Sequence, residues 1–184
     1  GIGRIGIIDD DVVDITNLHR QVLYTEKEAG LPKVECAKRR LQALNSEVEI
    51  DAYPYRLTKE NAHELISRYD IVVDGMDNFM TRYIVSDECK LQGKPYVYGA
   101  IRGLDGQVAV LCKGHTTYRS LLPDEEATLS MPHPGKAVLG TTPAVVGSVE
   151  ACQVLMLAAE FGEPLIDRLW TVDLSTMMSY VIEM

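Results

Sequence analysis

The alternation of strand and helix patterns through the first hundred residues is the feature that most restricts the fold of this chain. Residues 5–9 predict a short apolar strand, and a helix pattern follows with its apolar face at Val34, Ala37, Leu41 and Leu44. The later segments alternate in the same way: a strand at 48–52, a helix capped by Thr58, a buried strand at 70–74, a helix at 78–91 and a strand at 95–100. Such alternation predicts an α/β fold, in which a mostly parallel sheet is covered by helices on both faces.

The pattern changes after this first part of the chain. Residues 107–112 predict a strand with no helix before it, and residues 113–142 show little periodicity, which indicates a long crossover loop. A helix is predicted at 143–161. Two final strands, near 168–174 and 178–183, predict an antiparallel hairpin. We therefore expect an antiparallel C-terminal extension of the sheet.

The opening residues Gly1-Ile-Gly3-Arg-Ile-Gly6 match the dinucleotide-binding pattern G-x-G-x-x-G letter for letter. That pattern has physical meaning only between a strand and a helix, where its glycines let backbone N–H groups approach a pyrophosphate. Here a strand follows the glycines, so the context is inverted and we reject the match. We expect the true glycine-rich turn, with the first strand and helix of the fold, to lie upstream of residue 1, and we expect residues 1–184 to be a single domain lacking them.

Composition excludes several classes of partner. The net charge of −9 and the isoelectric point near 4.9 argue against nucleic acids and membrane surfaces, because both are polyanions. No apolar run in the sequence approaches the roughly 18 residues that a bilayer requires, and no signal peptide is visible. The four cysteines are widely separated and form no C-x-x-C pair, which is typical of a reducing, cytoplasmic compartment.

Two of the predicted strands end in carboxylates, one at residues 9–11 and the other at 74–78. Ligands of open parallel sheets bind beyond the carboxyl ends of the strands. Asp9 is then a candidate for hydrogen bonds to a ribose, and Asp77 is a candidate ligand of Mg²⁺, which prefers oxygen. Asp10 has the simpler interpretation of a surface residue, since turns favour aspartate.

Two basic residues lie between these strand ends in the sequence. Lys33 is placed near the start of a predicted helix, and Arg20 precedes it. Cations next to a helix N-terminus are suited to hold a polyphosphate. Isolated basic residues are usually solvated and have no ligand. Residue type alone therefore makes Arg20 and Lys33 only candidates for phosphate binding.

The combined pattern is more specific than its parts. Its segments are Asp9-Asp-Asp11-Val-Val-Asp-Ile-Thr-Asn17-Leu-His-Arg20-Gln21, Gly30-x-x-Lys33, Asp74-Gly-Met-Asp77-Asn78-Phe-Met-Thr-Arg82, Gly93-Lys-Pro95, Gly106-Gln-Val108, Val138-Leu-Gly140 and Pro143-x-x-x-Gly147. Together they closely resemble the ThiF/MoeB/HesA family, which includes the adenylation domains of ubiquitin-activating enzymes. The resemblance covers nearly the whole chain and implies a Rossmann-like fold.

The resemblance also implies a chemistry. ATP and Mg²⁺ bind, and the C-terminal glycine carboxylate of a ubiquitin-like sulfur-carrier protein attacks the α-phosphate to give an acyl-adenylate and pyrophosphate. Catalysis of this step is mostly positioning and charge neutralisation. The implied roles are ribose binding for Asp9, with Asp11 also at the nucleotide, phosphate contacts for Asn17, Arg20, Gln21 and Lys33, Mg²⁺ binding for Asp77 with Asn78 beside it, and a catalytic part for Arg20, Lys33 and Asp77.

The chain departs from the family at its cysteines. Many members bind zinc through two C-x-x-C pairs, but Thr117 and Ser120 stand at the first pair's place, and hydroxyl groups do not replace thiolates. We therefore predict no zinc site, with His115 and His133 too isolated to form one. At the place of the family's sulfur-transferring cysteine, the chain carries His133. Cys112 and Cys152 are expected to be buried structural residues, so the chemistry is expected to end at the adenylate.

Two further expectations concern assembly and motion. Family members pair through this domain, which implies a homodimer, and the helix after Pro143 is apolar on more than one face. Such a helix should be buried all round, under the sheet's cover or against a partner. Within the crossover at 113–142, residues 124–136 are expected to be mobile and to cover the carrier's tail.

Other functions remain open at this point. One is ATP-dependent activation of another carboxylate or of a tRNA base, although the acidity of the chain argues against tRNA. Another is a non-catalytic dimeric scaffold that binds a ubiquitin-like partner. A nicotinamide-dependent oxidoreductase fits worst, because the only G-x-G-x-x-G stands in the wrong context.

Overall fold

The computed structural model describes residues 1–131 and 138–184, which form two compact units, Gly1–Leu57 and Thr58–Met184. The expectation of one domain over residues 1–184 stays a prediction. Both units contain strands and helices, so the predicted α/β class is confirmed.

The first unit is a strand–helix–strand unit with a parallel sheet. Its elements are β1 (Arg4–Ile8), α1 (Lys33–Leu44) and β2 (Glu49–Tyr53), with short 3₁₀ turns at Ile15–Asn17 and Glu26–Glu28. Strands β1 and β2 pair in parallel, so that Arg4 lies opposite Glu49 and Ile8 opposite Tyr53. A parallel pair needs a crossover, and α1 supplies it.

Helix α1 packs on β1 and β2 through the apolar face that its sequence predicts. Val34 and Ala37 are fully buried, and Leu41 is half-buried. The prediction is wrong for Leu44, which is 82% exposed. Leu44 is the last helical residue, so the apolar face ends one turn earlier than the pattern indicates.

The second unit contains a five-stranded sheet. Its elements are α2 (Lys59–Ser67), β3 (Val72–Val73), α3 (Phe79–Gln92), β4 (Tyr96–Arg102), β5 (Asp105–Leu111), α4 (Tyr118–Leu121), α5 (Glu125–Ser130), α6 (Thr141–Ala159), β6 (Arg168–Asp173) and β7 (Met178–Glu183). The strands lie in the order β3-β4-β5-β6-β7. β3 and β4 are parallel, and each later strand is antiparallel to its neighbour, which confirms the antiparallel C-terminal extension.

Antiparallel pairing is more extensive than the sequence patterns indicate. It begins at β4 and β5, which a tight turn at Gly103 joins, and Gly103 has φ 60°. A turn this short has no room for a crossover helix, so the two strands must be antiparallel. Among the described residues, two neighbouring strand pairs are parallel and three are antiparallel.

The predicted buried strand at 70–74 differs from the structure. Only Val72 and Val73 are paired as a strand, and Val73 is 46% exposed. β3 is the edge strand of its sheet and pairs only with β4 in the described part of the chain, which explains its exposure. The next residue, Asp74, is buried instead.

The segment 113–142 contains more regular structure than predicted. Helices α4 and α5 lie within it, and the ring of Tyr118 is fully buried. Helices of this length are too short to produce a clear periodic pattern, which is why the sequence indicates a loop. Residues 132–137, and with them His133, lie outside the described residues, and the mobility of 124–136 stays a prediction.

Helix α6 lies against β4 and β5 with one face only. That face carries Thr142, Val146, Glu150 and Gln153, all buried. The unit itself therefore does not bury this helix all round, and burial of its other faces against a partner stays a prediction. The expectation of a buried Cys152 is wrong, because this residue is exposed on another face.

The length and hydropathy of α6 also correct the expectation about apolar runs. By length and composition alone, this helix is long and apolar enough to cross a bilayer. Only 22% of its most apolar 18-residue stretch is buried inside the protein. Core helices of soluble proteins pass the same test. Its buried glutamate and glutamine face a sheet, an arrangement suited to packing inside a protein.

Candidate active site

Three consecutive aspartates follow β1, as the strand-end pattern predicts. The backbone N–H of Asp9 donates to the carbonyl oxygen of Tyr53 at 3.2 Å, which fixes the chain just after the parallel pair. Asp9 Oδ1 accepts from the N–H of Asp11 at 2.8 Å. Carboxylate oxygens of Asp9, Asp10 and Asp11 lie within 4.8 Å of one another. This end of β1 is therefore rich in hydrogen-bond acceptors.

Lys33 is the cation that the fold brings to these aspartates. It is the first residue of α1 and is only 5% exposed. Its Nζ donates to Asp11 Oδ2 at 2.9 Å and lies 3.7 Å from Asp9 Oδ2. Its backbone N–H donates to the carbonyl oxygen of Asp11 at 3.0 Å. The structure thus brings together three of the predicted nucleotide-binding residues.

Asn17, Arg20 and Gln21 belong to one compact turn between β1 and α1. The carbonyl oxygen of Asn17 accepts from the N–H of Arg20 at 3.0 Å and from that of Gln21 at 2.9 Å. Arg20 Nη1 lies 3.2 Å from His19 Nε2. Gln21 Oε1 is buried and has no hydrogen-bond partner within residues 1–131 and 138–184. The turn gathers these three residues, and no hydrogen bond joins them to Lys33 in the described chain.

Asp77 and Asn78 lie in the second unit, between β3 and α3. Asn78 Oδ1 accepts from the N–H of Thr81 at 2.9 Å and so caps α3. Asn78 Nδ2 lies 3.4 Å from Asp77 Oδ1. The Asp77 side chain is exposed, so its carboxylate is free to meet a cation from solution.

A buried ion pair supports this turn, and no role was predicted for its two residues. Arg82 Nε donates to Asp74 Oδ2 at 2.9 Å, and the hydroxyl of Tyr96 donates to the same oxygen at 2.7 Å. Arg82 Nη2 donates to the carbonyl oxygens of Met76, at 2.7 Å, and Gly99, at 3.1 Å. Although burial lowers the pKa of Arg82, the adjacent Asp74 outweighs it and holds that pKa above its usual value.

Glu150 is a second buried acid close to this pair. It lies on the face of α6 that packs on the sheet, and its Oε1 atom has no hydrogen-bond partner among the described residues. Burial and the negative charge of Asp74 raise the pKa of Glu150 to about 8, against the opposing effect of Arg82. An acidic residue inside an otherwise apolar helix pattern was the available signal for this site.

The sequence profile of the ThiF family matches residues 1–184. The chain belongs to the ThiF family. The resemblance inferred from its motifs is therefore confirmed. The predicted site residues lie in the segments that carry it: Asp9, Asp11, Asn17, Arg20, Gln21, Lys33, Asp77 and Asn78.

Similar proteins include a sulfur carrier protein adenylyltransferase from Thermus thermophilus. It is 47% identical over 182 residues, which cover 94% of this chain and 66% of that protein. An adenylyltransferase and sulfurtransferase MOCS3 from Arabidopsis thaliana is 42% identical over 184 residues, which cover 98% of this chain and 40% of that protein. The chain thus spans less than two thirds of the length of either relative.

Solved structures give the same fold. A crystal structure of E. coli MccB with ATP aligns with a TM-score of 0.82 at 25% identity, covering all of this chain and 57% of that one. The Rossmann-like fold of this ThiF-family chain is therefore confirmed.

At the position of the family's first C-x-x-C pair, Thr117 and Ser120 are joined by hydrogen bonds that involve their hydroxyl groups. The N–H of Thr117 donates to Ser120 Oγ at 3.1 Å, and the two hydroxyl oxygens are also 3.1 Å apart. His115 Nδ1 is in contact with Asp167 Oδ2 at 2.7 Å. The absence of a zinc site stays a prediction.

Cys112 is only half-buried, in contrast to the expectation of a buried residue. It follows the last residue of β5, where the strand leaves the core. Burial, together with the charge of Asp167, raises the pKa of the Cys112 thiol, which makes it a poor nucleophile at neutral pH.

Proposed function

We propose that this chain is the adenylation domain of an ATP-dependent adenylyltransferase, and that residues 1–184 act as one ThiF-type domain. Its substrate is the C-terminal glycine carboxylate of a ubiquitin-like sulfur-carrier protein. The observation that carries the proposal is the buried Lys33 ammonium group, held at the start of α1 by Asp9 and Asp11 in the segment that the family uses for nucleotides. The Thermus relative, whose name is that of a sulfur carrier protein adenylyltransferase, supports it.

The nucleotide is proposed to be ATP, the ligand in the MccB crystal structure. Asp9 accepts hydrogen bonds from the ribose hydroxyls, with Asp11 beside it. Lys33 and Arg20 supply positive charge to the phosphates, and neighbouring amide groups donate hydrogen bonds to them. These amides belong to Asn17 and Gln21.

We also assign Mg²⁺ binding to Asp77. Its carboxylate is exposed after β3, Asn78 fixes the turn by capping α3, and hard oxygen ligands are those that Mg²⁺ prefers. The ion would neutralise charge on the triphosphate and favour departure of pyrophosphate.

The reaction needs no protein nucleophile. A carboxylate oxygen of the carrier's terminal glycine forms a bond to the α-phosphorus, and the bond from that phosphorus to the oxygen bridging the α- and β-phosphates breaks. Pyrophosphate leaves with the electron pair, and the acyl-adenylate remains. The protein contributes position and charge, which account for most of the catalysis in phosphoryl-type transfer.

Three further assignments complete the proposal. The protein acts as a homodimer, supported by the apolar residues that α6 exposes. It acts in the cytoplasm, supported by a cysteine pattern typical of reducing compartments. Sulfur is delivered by another protein, supported by the raised thiol pKa of Cys112.

Exchange of labelled pyrophosphate into ATP tests the function. With full-length protein, Mg²⁺ and a sulfur carrier that ends in glycine, we expect exchange that depends on the carrier. The matched control is the same carrier without its terminal glycine, which should give none. Binding of ATP and carrier without any exchange would contradict the proposal and favour a non-catalytic scaffold.

A further inference from the structure

Glu150 is a buried carboxyl group that the proposed reaction does not use. It is 7% exposed on the face of α6 that packs on β4 and β5, and Oε1 has no hydrogen-bond partner among the described residues. Burying a polar group without a hydrogen-bond partner is costly, so the free energy of the folded state depends on whether this carboxyl group is protonated or ionised. A neutral carboxylic acid costs far less to bury than a carboxylate.

The carboxyl group of Glu150 lies directly against Gly99 on β4. A Cβ atom at position 99 would overlap the carboxyl group, which therefore occupies the space beside Gly99 where a side chain would begin. The carbonyl oxygen of Gly99 accepts a hydrogen bond from Arg82 Nη2 at 3.1 Å. Glu150 from α6 and Arg82 from α3 therefore meet at one residue of the sheet.

Arg82 connects this point to the turn that carries Asp77. The same Nη2 atom donates to the carbonyl oxygen of Met76 at 2.7 Å, and Asp74 Oδ1 accepts from the N–H of Met76 at 2.8 Å. Both backbone polar groups of Met76 are thus held by the Asp74–Arg82 pair. Met76 directly precedes Asp77, so the position of Arg82 influences where the Asp77 carboxylate lies.

We propose that Glu150 is a positioning residue for this site: in its neutral form it leaves Arg82 on the turn at 74–78, and in its ionised form it draws Arg82 away from Met76. Asp74 and Arg82 already balance each other, so an ionised Glu150 adds an uncompensated negative charge beside a single guanidinium group. Competition of two carboxylates for one arginine then loosens the turn. The catalytic consequence rests on the proposed function, whereas the structural coupling does not.

The groups that face Glu150 determine the pH at which this occurs. Burial and the charge of Asp74 raise its pKa to about 8, and Arg82 opposes them. On β4, burial raises the pKa values of Tyr96 and Tyr98, so both rings stay neutral in this range. Burial raises the pKa of Asp74 as well, against Arg82 and the hydrogen bonds that Asp74 accepts. The Glu150→Gln variant therefore separates the effects of the two carboxyl groups.

Two further charged groups lie near the N-terminal end of α6. Arg102 and Asp105 are exposed at the turn between β4 and β5, where Thr142 Oγ1 donates to the carbonyl oxygen of Gly103 at 2.8 Å. Thr142 is two helical turns from Glu150, about 12 Å along the helix axis. The charges of Arg102 and Asp105 have a weak influence on Glu150, because they lie at that distance and are solvated.

Isotope-edited NMR of the full-length protein tests the coupling without any need for catalysis. The Arg82 Nε–H signal and the backbone amide signals of Met76 and Asp77 are followed from about pH 7 to about pH 9, on either side of the Glu150 pKa. We expect all three signals to titrate together in the wild-type protein. In Glu150→Gln, which keeps the size and removes the charge, they should not titrate.

Steady-state kinetics of pyrophosphate exchange gives the catalytic readout. The protonated fraction of a group with a pKa of about 8 falls about tenfold between about pH 7 and about pH 9, so the KM for MgATP should rise about tenfold while kcat changes less. Glu150→Gln should not show this rise. Glu160→Gln, which removes an exposed carboxylate at the end of the same helix, should behave like the wild type.

Two results would overturn the proposal. One is an Arg82 signal that does not change through this pH range in the wild-type protein, a measurement that needs no variant. The other is the same titration in Glu150→Gln as in the wild type. If the NMR coupling is present but no exchange occurs at any pH, the positioning role stands and the proposed function fails.

Discussion

A buried ammonium group needs compensating charge, and at Lys33 two aspartates supply it. Lys33 begins α1, where the helix dipole is positive and disfavours a cation. The contact with Asp11 at 2.9 Å and the proximity of Asp9 at 3.7 Å offset that effect and the loss of hydration. The ammonium group is therefore held in one place, which suits its proposed contact with the phosphates.

Asp77 gives the sharpest test at this scale. We expect Asp77→Ala to abolish carrier-dependent pyrophosphate exchange, because the exposed carboxylate is the proposed Mg²⁺ ligand, and to leave the melting temperature unchanged. Exchange rates and thermal unfolding of the full-length protein provide the measurement. Asp70→Ala is the matched control, since Asp70 is also an exposed aspartate beside β3. Exchange close to the wild-type rate in Asp77→Ala would refute the assigned role.

Arg82 and Arg119 provide a comparison between buried and exposed ion pairs. Arg82→Leu leaves the Asp74 carboxylate buried without its partner, so we expect a loss of about 3–5 kcal/mol in the free energy of unfolding. Arg119→Leu removes pairs with Asp87 and Glu125 at the surface and should cost only about 0–1 kcal/mol. Urea denaturation measures both. Equal losses would show that burial does not determine the strength of the Asp74 pair.

The candidate site could be predicted in part because several of its contacts are local. The helix start near Asn78 and the position of Lys33 near a helix start depend on residues a few positions apart, and both were predicted. The Glu150 contact with Gly99 could not be predicted in this way. It depends on how α6 lies on β4, and no local pattern determines that packing.

At the scale of elements, α6 carries a buried acid, Glu150, whose contribution to the free energy of unfolding changes with pH. Because the folded state raises the pKa of Glu150 from 4.5 to about 8, the native protein holds a proton that the unfolded chain releases. The resulting stabilisation is complete below about pH 4.5 and is lost as the pH rises through about 8.

Replacement of Glu150 tests this element directly. We expect Glu150→Gln to be more stable than the wild type at about pH 8, by up to a few kcal/mol, because the amide never ionises. Urea denaturation of both proteins as a function of pH measures the difference, which should shrink as the pH is lowered toward 4.5. A difference that does not vary with pH would contradict the assignment.

Most elements could be predicted because their patterns are local and strong. The helix at 78–91 has a capping asparagine and a terminal Gly93 in the left-handed conformation, and the structure places α3 at Phe79–Gln92. Three features could not be predicted: the short helices α4 and α5, the exposure of β3, and the single buried face of α6. Exposure depends on the neighbours of an element in space. The buried face of α6 carries Thr142, Glu150 and Gln153 while Leu155 is exposed, so the apolar pattern of this helix does not indicate which face meets the sheet.

At the scale of the whole molecule, the exposed side of α6 is the surface most suited to self-association. Ala151, Cys152 and Leu155 lie outward on this helix, and Phe161 follows its end; all are exposed. Exposed apolar residues that lie together on one helix commonly mark an interface with another chain. The expected homodimer would cover such residues.

Sedimentation of the full-length protein at micromolar concentration tests this assembly. We expect a dimer for the wild type and a monomer for Leu155→Asp, because a carboxylate at this outward position would have to be desolvated at the interface. Leu44→Asp is the control, since Leu44 is another exposed leucine at the end of a helix, and it should remain dimeric. A wild-type protein that sediments as a monomer would refute the homodimer, and a dimeric Leu155→Asp would show that the two copies meet elsewhere than at α6.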